Sequence, residues 1–507
     1  MIEGEILGQW NGENLLGSVK EGDLQTESAK EENEGQEEDS HGPSTTLDFI
    51  RNPQIQFLLI KGHPGSGKTT LAIELLSRYG SGVYVSTRVS LGRLCKQNKK
   101  LSSLVAEGKV TEFDLEGGGR IRFDDARMAS PADILQSIVS RRSDPIYRGA
   151  QDRAGTRLIV LDSWDALAKL MDEVERLKTE QAMLTMAEAN NVKLAFISEE
   201  SGLSTTDYFV DVVVKLEDDV SEGRRIRRLI LDKVRGQKIP QRSYLYSLDE
   251  SRFTIFNRTK VLYPGEYVKR PIKPTLHSEN IYSSGSNELD AFLGGGFRRG
   301  SLVALELGKH VGSDWISPFK ASIKANFLSN DGLLLDLPSA ALTPRMVKNR
   351  LLEYFSEEFL QSNLRVLHFG QAEDDRCFIN VDTSREKGGV EQLIEQLGSY
   401  RESQNKSCLF CIDSDAIEGS LGEAIRTSLG IRIAQLVKRY GDLAFITVRE
   451  RMEAGSAHLT RYADIHLRFK ELDRSTILYS SRPPSELYHV HYDYREGFPQ
   501  VHLMPIV

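Results

Sequence analysis

The residues best suited to chemistry form a glycine-rich loop between an apolar run and a helical pattern. Residues 62–69 read GHPGSGKT and fit the phosphate-binding pattern GxxxxGK[ST]. Such glycines let a strand turn tightly into a helix, so that backbone N–H groups and the helix N-terminus point at the phosphates of a nucleoside triphosphate. Lys68 then reaches the β and γ phosphates. The predicted nucleotide contacts are Gly62, His63, Pro64, Gly65, Ser66, Gly67, Lys68, Thr69 and Thr70.

The same motif predicts the residues that hold the Mg²⁺ ion bound with ATP. The hydroxyl of Thr69 is placed to coordinate the ion. Asp162 ends the apolar run 158–161, at the place where P-loop enzymes hold a carboxylate of the Mg²⁺ shell. An aspartate that ends a strand is more often a turn residue, but the upstream loop and a second apolar run ending at Asp413 favour the metal role. Thr69 and Asp162 are therefore the predicted metal ligands.

The elements that must position these residues follow from the apolar pattern. Short apolar runs alternate with helical patterns, which is typical of an α/β fold with a mostly parallel sheet covered by helices. The runs predict strands at 57–60, 83–86, 158–161, 194–198, 210–216 and 229–231, and a helix over 166–189. A polar turn around 221–223 joins the last two of these strands.

Length and an internal repeat predict two domains. A chain of 507 residues is too long for one core. Three apolar segments recur in the same order, and the matched positions are Asp162 and Asp413, Leu194 and Leu443, and Asp211 and Asp464, at offsets of 251, 249 and 253. A nearly constant offset indicates two copies of one domain. We predict a tail at 1–45, a first domain at 46–258, a proline-containing linker at 259–280 and a second domain at 281–507.

Charge and cysteine content limit the function classes. The first 45 residues hold twelve acidic residues and two lysines, a charge of −10, which leaves +2 of the net −8 for the rest. We expect a disordered acidic tail and a nearly neutral globular part, which argues against a protein held on nucleic acid by net charge. Four cysteines make no disulfide framework, and no signal peptide or long apolar span is present, so we expect a cytoplasmic protein.

One cysteine pair has CxxC spacing, which is also found in redox and metal sites. Cys408 and Cys411 lie in an apolar run that ends at Asp413. Residues three apart on a strand point to opposite faces, so we interpret both as buried free cysteines.

Beyond these motifs the chain resembles a known family. The loop at 62–69, the run ending at Asp162 and the segment 229–236, LILDKVRG, are similar to the KaiC family of circadian-clock ATPases and their RecA-like relatives. The resemblance implies two tandem RecA-like P-loop domains, because the segment 284–300 is close to the family's opening segment. It also implies that Lys233 and Arg235 act in trans on a nucleotide bound by a neighbouring subunit. A ring or filament of identical chains is the assembly expected.

Two departures from the family pattern predict weak catalysis. Arg88 and Val89 stand where that family has water-activating glutamates, so we expect slow hydrolysis unless another carboxylate such as Glu199 substitutes. In the second copy Asp314 and Trp315 stand where the loop lysine and hydroxyl belong. An aspartate would repel phosphates, so the second domain is expected to bind no ATP.

A narrower resemblance is to the GvpD family of gas-vesicle regulatory proteins. It is carried by the single usable loop in a long two-part chain, by residues 86–89, STRV, and by the arginine run 224–228, RRIRR. The function predicted is an ATP-dependent regulatory switch that acts through self-assembly or a protein partner such as a transcription regulator. Two alternatives stay open: a RecA-type DNA-handling ATPase whose arginine run follows phosphates, and a clock-like autokinase. A simpler interpretation of that run is that its arginines face solvent, as those at the same strand start do in KaiC-type domains.

Overall fold

The computed structural model describes residues 47, 52–80, 82–87, 89–114, 157–169, 171–200, 202–262, 266–339, 341–369, 375–381, 389–421, 426–450 and 460–507. These residues belong to one compact unit, Pro43–Val507. The acidic tail predicted at 1–45 lies outside the described residues, and so does Arg88.

Nine strands of the first half form one mixed sheet. They are β1 (Phe57–Gly62), β2 (Gly82–Ser86), β3 (Val110–Asp114), β4 (Arg157–Asp162), β5 (Val192–Ser198), β6 (Val212–Ser221), β7 (Arg224–Val234), β8 (Ser243–Ser247) and β9 (Thr254–Ile255). Their order is β3-β2-β4-β5-β1-β6-β7-β8-β9. Neighbours from β3 to β6 are parallel, and those from β6 to β9 are antiparallel. The predicted α/β fold is confirmed, and each predicted strand is present.

The described helices of this half pack against the parallel strands. They are α1 (Lys68–Tyr79), α2 (Leu91–Gln97), α3 (Lys99–Ala106), α4 (Trp164–Ala168), α5 (Glu173–Ala189) and α6 (Thr206–Phe209). The single helix predicted over 166–189 is wrong, since the structure divides it into α4 and α5. Asp172 starts α5 because its carboxylate accepts from the Glu175 N–H at 2.8 Å while the Glu175 side chain accepts from the Asp172 N–H, a capping box.

Ten strands of the second half form another mixed sheet. They are β12 (Ser301–Leu307), β13 (Leu333–Leu337), β14 (Leu364–His368), β15 (Phe378–Asn380), β16 (Cys408–Asp413), β17 (Leu443–Arg449), β18 (Ile465–Leu472), β19 (Ser475–Arg482), β20 (Tyr488–Asp493) and β21 (Gln500–Pro505); a separate pair precedes them, β10 (Ile281–Tyr282) and β11 (Phe297–Arg298). The order is β15-β14-β13-β16-β17-β12-β18-β19-β20-β21. β12 lies between β17 and β18 and is parallel to both, as β1 lies between β5 and β6 in the first sheet. The antiparallel strands β19, β20 and β21 follow β18.

Helices cover the second sheet on both faces. They are α7 (Asn287–Phe292), α8 (Ser313–Ser329), α9 (Pro344–Leu352), α10 (Glu357–Asn363), α11 (Gly389–Glu402), α12 (Ser414–Leu421) and α13 (Arg426–Tyr440). Cys408 and Cys411 are both buried but belong to the hydrophobic clusters on opposite faces of the sheet. This arrangement is the one predicted for residues three apart on a strand. Within the described part of the chain, no helix is long and apolar enough to cross a membrane.

The two halves share a hydrophobic cluster. Its buried members are Ile226, Leu245 and Phe256 from the first half and Ile477, Tyr479, Leu487 and Ile506 from the second. The aromatic ring of Phe256 stacks on the His489 ring with 4.6 Å between centroids. Ion pairs surround this cluster, including Arg228 with Asp473 at 2.9 Å. The second sheet is therefore packed directly on the antiparallel strands of the first.

Candidate nucleotide-binding site

The glycine-rich loop has the backbone that the motif predicts. β1 ends at Gly62 and α1 begins at Lys68, so the loop joins strand to helix at the carboxyl edge of the parallel strands. Gly65 and Gly67 have φ values of 80° and 90°, which a residue with a Cβ rarely adopts. A Cβ at Gly67 would also lie 2.7 Å from the Leu248 side chain. The two glycines therefore set the shape of the loop.

Lys68 is held over the loop in the position expected of a phosphate ligand. Its buried ammonium donates to the carbonyl oxygens of Gly62 at 2.7 Å and His63 at 2.9 Å. Among the described residues, Ser66 Oγ is buried without a hydrogen-bond partner. A buried hydroxyl without a partner in a loop lined by N–H groups is a group that a phosphate oxygen would satisfy. The loop thus fits the triphosphate that the sequence predicts.

Thr69 and Asp162 are brought together as predicted. Thr69 Oγ1 donates to Asp162 Oδ2 at 2.7 Å, although the two residues are 93 positions apart. Hydroxyl and carboxylate oxygens are the ligands that Mg²⁺ prefers, so this pair would hold the ion beside the phosphates. The assignment of both as metal ligands stays a prediction.

Tyr84 is a neighbour of this pair that the sequence did not reveal. It lies on β2, which pairs with β4, and its hydroxyl donates to Asp162 Oδ2. Burial and the Asp162 charge raise the pKa of Tyr84 well above its usual range, so the phenol stays protonated and donates. We infer that Tyr84 orients the Asp162 carboxylate toward Thr69.

Glu199, the carboxylate considered for hydrolysis, lies at the same edge of the sheet as the loop. Glu199 follows β5, the strand between β4 and β1, which brings its backbone to the carboxyl edge beside the loop. The buried carboxylate of Asp165 fixes this corner by accepting from Ser198 Oγ at 3.0 Å and from the Glu199 N–H. Glu199 as the general base stays a prediction.

Lys233 and Arg235 lie at the opposite edge of the sheet. β7 runs antiparallel to β6, so its last residue, Val234, pairs with Val212 near the start of the parallel strands. Lys233 Nζ donates to the Asp207 carbonyl oxygen at 2.9 Å, and the half-exposed Arg235 lies 3.0 Å from Asp211 Oδ1. Their position excludes contact with the loop of the same chain. Action of Lys233 and Arg235 on a nucleotide bound by a neighbouring subunit stays a prediction.

The arginine run at the start of β7 does not face solvent as a unit, so the simpler sequence reading of it is wrong. Arg224 donates to the Ser485 carbonyl oxygen and lies 4.7 Å above the Tyr479 ring, both in the second half. Arg228 pairs with Asp473, also in the second half. Arg225 is the most exposed of the run, at 53% of its side chain, and pairs with Asp218. The run is therefore largely an internal contact between the halves.

Arg227 connects the nucleotide loop to the second half. Its side chain is 8% exposed, and Nη1 donates to the Gly65 carbonyl oxygen at 3.2 Å and to Asp218 Oδ1 at 3.1 Å. Nε donates to the main-chain oxygen of Val507 at 2.8 Å. Tyr246 OH supports the same loop by donating to the Ser66 carbonyl oxygen at 2.6 Å. One guanidinium therefore contacts the phosphate-binding loop and the last strand region of the second sheet.

The corresponding loop of the second half has no comparable geometry. β12 ends at Leu307 and α8 begins at Ser313, so Asp314 lies in the first helical turn. At the end of β12, the Glu306 carboxylate is contacted by His466 Nε2 at 2.6 Å and Arg468 Nε at 3.1 Å. These two partners lower the pKa of Glu306 against the opposing effect of burial. Asp314 places an exposed carboxylate in the first turn of α8, where the first-half loop has Lys68, and this charge would disfavour a phosphate.

Replacing Asp162 by asparagine is expected to remove the Mg²⁺ dependence of ATP binding. The amide keeps the shape and still accepts from Thr69, but it lacks the charge that attracts the ion. We expect Mg²⁺-dependent affinity to fall about 10- to 100-fold. Titration of ATP with and without Mg²⁺ measures this change, and Asp413→Asn is the matched control that should leave ATP binding unchanged. Retained Mg²⁺ dependence in Asp162→Asn would contradict the assignment.

Comparisons with known proteins agree with this geometry. Residues 46–260 match the family model described as "ATPase: KaiC". Protein GvpD2 of Halobacterium salinarum is 26% identical over 494 aligned positions, and the match covers 92% of this chain and 97% of that protein. Protein GvpD1 of the same organism is 24% identical over 538 aligned positions, and the match covers 92% of this chain and 96% of that protein. The first half of the chain therefore matches the KaiC ATPase family model, and most of the chain is similar to the two GvpD proteins.

Proposed function

We propose that this protein is an ATP-dependent regulatory switch of the GvpD type, with ATP and Mg²⁺ bound at the first-half loop alone. The proposed architecture is two tandem RecA-like domains at 46–258 and 281–507, joined by a linker at 259–280. The second domain serves as a partner of the first instead of a second ATPase. The observation that carries the proposal is Arg227, which contacts both the loop at Gly65 and the second half at Val507.

The physical basis of the switch is differential contact. A ligand shifts a two-state equilibrium only by its different affinity for the two states. A triphosphate changes the loop to which Arg227 is bonded, and the second half is bonded to the same guanidinium. Nucleotide binding and the position of the C-terminal segment are thereby coupled, and the coupling must be reciprocal.

The placement of the arginines favours a switch over a DNA-handling ATPase. Arg224, Arg227 and Arg228 are engaged by the second half or the loop, so three of the four arginines are not available to follow phosphates without separating the halves. The partner we expect is a protein, such as a transcription regulator in gas-vesicle control, in the cytoplasm. DNA binding that is tight, falls steeply with salt and disappears when all four arginines are replaced by alanine would reverse this preference.

Hydrogen exchange measured with ATP and with ADP tests the switch. We expect residues 500–507 to exchange more slowly with ATP, because the loop and this segment are bonded through one side chain. Helix α11 at 389–402 lies on another part of the second half and serves as the internal control. Identical exchange at 500–507 with ATP and ADP would contradict the proposal.

We expect slow ATP hydrolysis. The strand end at 86–89 supplies an arginine where related enzymes have a water-activating carboxylate, and a general base contributes on the order of a hundred- to ten-thousand-fold. Steady-state phosphate release should therefore stay below about one per second. Release at several per second that persists in Glu199→Gln would be inconsistent with this expectation.

Replacing Arg235 by alanine is expected to reduce ATP-dependent self-association more than ATP binding. Arg235 lies on the edge opposite its own loop, so a contact with nucleotide is available only in a neighbouring subunit. Sedimentation in ATP should show smaller species for the variant. Arg242→Ala is the matched control, since Arg242 is also exposed and ion-paired, with Asp232 at 2.6 Å. Unchanged assembly in Arg235→Ala would indicate a solvated strand end.

A further inference from the structure

The second half contains a cavity that the nucleotide site does not use. Its volume is about 480 Å³, within the range of pockets that hold small organic ligands. Helices α8 and α9 form one side, the strand ends of β13 and β16 form the floor, and linker residues Val261, Leu262 and Tyr267 form part of the cover. The linker is fixed there, since Tyr267 and Tyr354 share a hydrogen bond and the Leu262 N–H donates to Tyr494 OH at 3.1 Å.

The cavity lies where an α/β sheet favours a ligand. From β13 the chain continues outward to β14, and from β16 it continues in the opposite direction to β17, while β13 and β16 are adjacent. Ligands of open α/β sheets bind outside the carboxyl ends of strands at such a reversal. Residues at both strand ends line the cavity, among them Leu337 and Asp413.

The walls are chiefly apolar, and three cations line the cavity: Lys324, which is paired with Asp336, and the less engaged Lys320 and Arg350. Lys320 on α8 is surrounded by protein, and 24% of its side-chain surface remains exposed where it lines the cavity. Its ammonium lies 3.6 Å from Asp413 Oδ2, beyond ordinary hydrogen-bond distance. Arg350 on α9 donates to the neutral Ser317 Oγ at 3.3 Å. Both cations retain capacity for an anion.

The carboxylates around the cavity are mostly compensated. Asp336 pairs with Lys324 at 2.5 Å, and Glu353 pairs with Lys269 at 3.3 Å. Burial raises the pKa of Asp413 and lowers the pKa of Lys320, so burial disfavours the charged form of both partners. Asp314 also lines the cavity, but a carboxylate bound directly at Lys320 would favour the charged form of the ammonium more than Asp413 does at 3.6 Å.

We propose that this cavity binds a small organic acid, with an apolar body of roughly ten to twenty non-hydrogen atoms against the walls and one carboxylate at Lys320. The carboxylate would accept charge-assisted hydrogen bonds from the ammonium, which are stronger than those between neutral groups. The site is separate from the ATP loop, and it gives the second half a ligand of its own.

Calorimetry on the full chain tests the proposal with octanoate, decanoate and 4-phenylbutyrate as probes. We expect one site for at least one acid, and at least about tenfold weaker binding of the matched alcohol. Lys320→Met should reduce acid affinity to that of the alcohol, whereas Lys309→Met, in the exposed loop before α8, should not change it. Ala321→Phe, which fills the cavity and keeps the ammonium, should remove binding of acid and alcohol alike.

Three outcomes would overturn the proposal. The first is no binding of any of the three acids to the wild-type chain at millimolar concentration. The second is unchanged acid affinity in both Lys320→Met and Ala321→Phe. The third is loss of acid binding in Lys68→Ala, which would place the acid at the nucleotide loop. Retained acid binding in Lys68→Ala, with ATP binding lost, supports two separate sites whatever the outcome for the ATP switch.

Discussion

Replacing Lys68 by alanine is expected to abolish measurable ATP binding. The ammonium is buried beside the loop carbonyls of Gly62 and His63, and removing it leaves the β and γ phosphates without their nearest cation. A charge-assisted contact to two phosphates corresponds to at least about a hundredfold in affinity. Calorimetry should show one site per chain in the wild type and none in Lys68→Ala.

The second-half loop provides the control for this experiment. Lys309 lies in the loop between β12 and α8, and its replacement by alanine should leave ATP affinity unchanged. Two sites per wild-type chain would mean that the second half binds nucleotide despite Asp314 and Glu306. Retained affinity in Lys68→Ala would mean that the glycine-rich loop is not the nucleotide site.

The backbone shape of the loop was predictable because it depends on neighbours in sequence. The spacing from Gly62 to Thr69 is sufficient to require a strand, a turn with positive φ and a helix start. The position of Asp162 beside Thr69 followed from its strand together with the upstream loop, since parallel strands end at one edge of the sheet, and its role as a metal ligand stays a prediction. The mostly parallel arrangement of the strands in both sheets was predictable from the alternation of apolar runs and helical patterns.

The contacts of Tyr84 and Arg227 could not be predicted in this way. Tyr84 contacts Asp162 because β2 and β4 are adjacent, and strand order is not visible in the apolar pattern. Arg227 contacts Val507 across 280 positions, a pairing set by how the two halves pack. The break between α4 and α5 was available in the sequence, since Asp172 and Glu175 have capping-box spacing, and it was missed because the apolar period continues through it.

Replacing Arg227 by alanine should destabilise the protein by about 2–3 kcal/mol, because it removes the donor to the Gly65 oxygen and to one Asp218 oxygen and leaves the Val507 oxygen with the Leu248 N–H alone. This value lies at the lower end of the cost of breaking a buried ion pair, because 30% of the Asp218 side chain is exposed. Urea denaturation measures the change, and the same variant should lose the ATP-dependent protection of residues 500–507.

Arg225 is the matched control for Arg227, because it lies on the same strand, β7, and pairs with the same carboxylate, Asp218 of β6. Its side chain is 53% exposed, so Arg225→Ala should cost less than about 1 kcal/mol and leave ATP-dependent protection intact. A larger effect of Arg227→Ala on both readouts would place the coupling in the buried guanidinium. Equal effects of the two variants would mean that the run contributes charge alone, and the connection between the loop and the second half would have to be sought elsewhere.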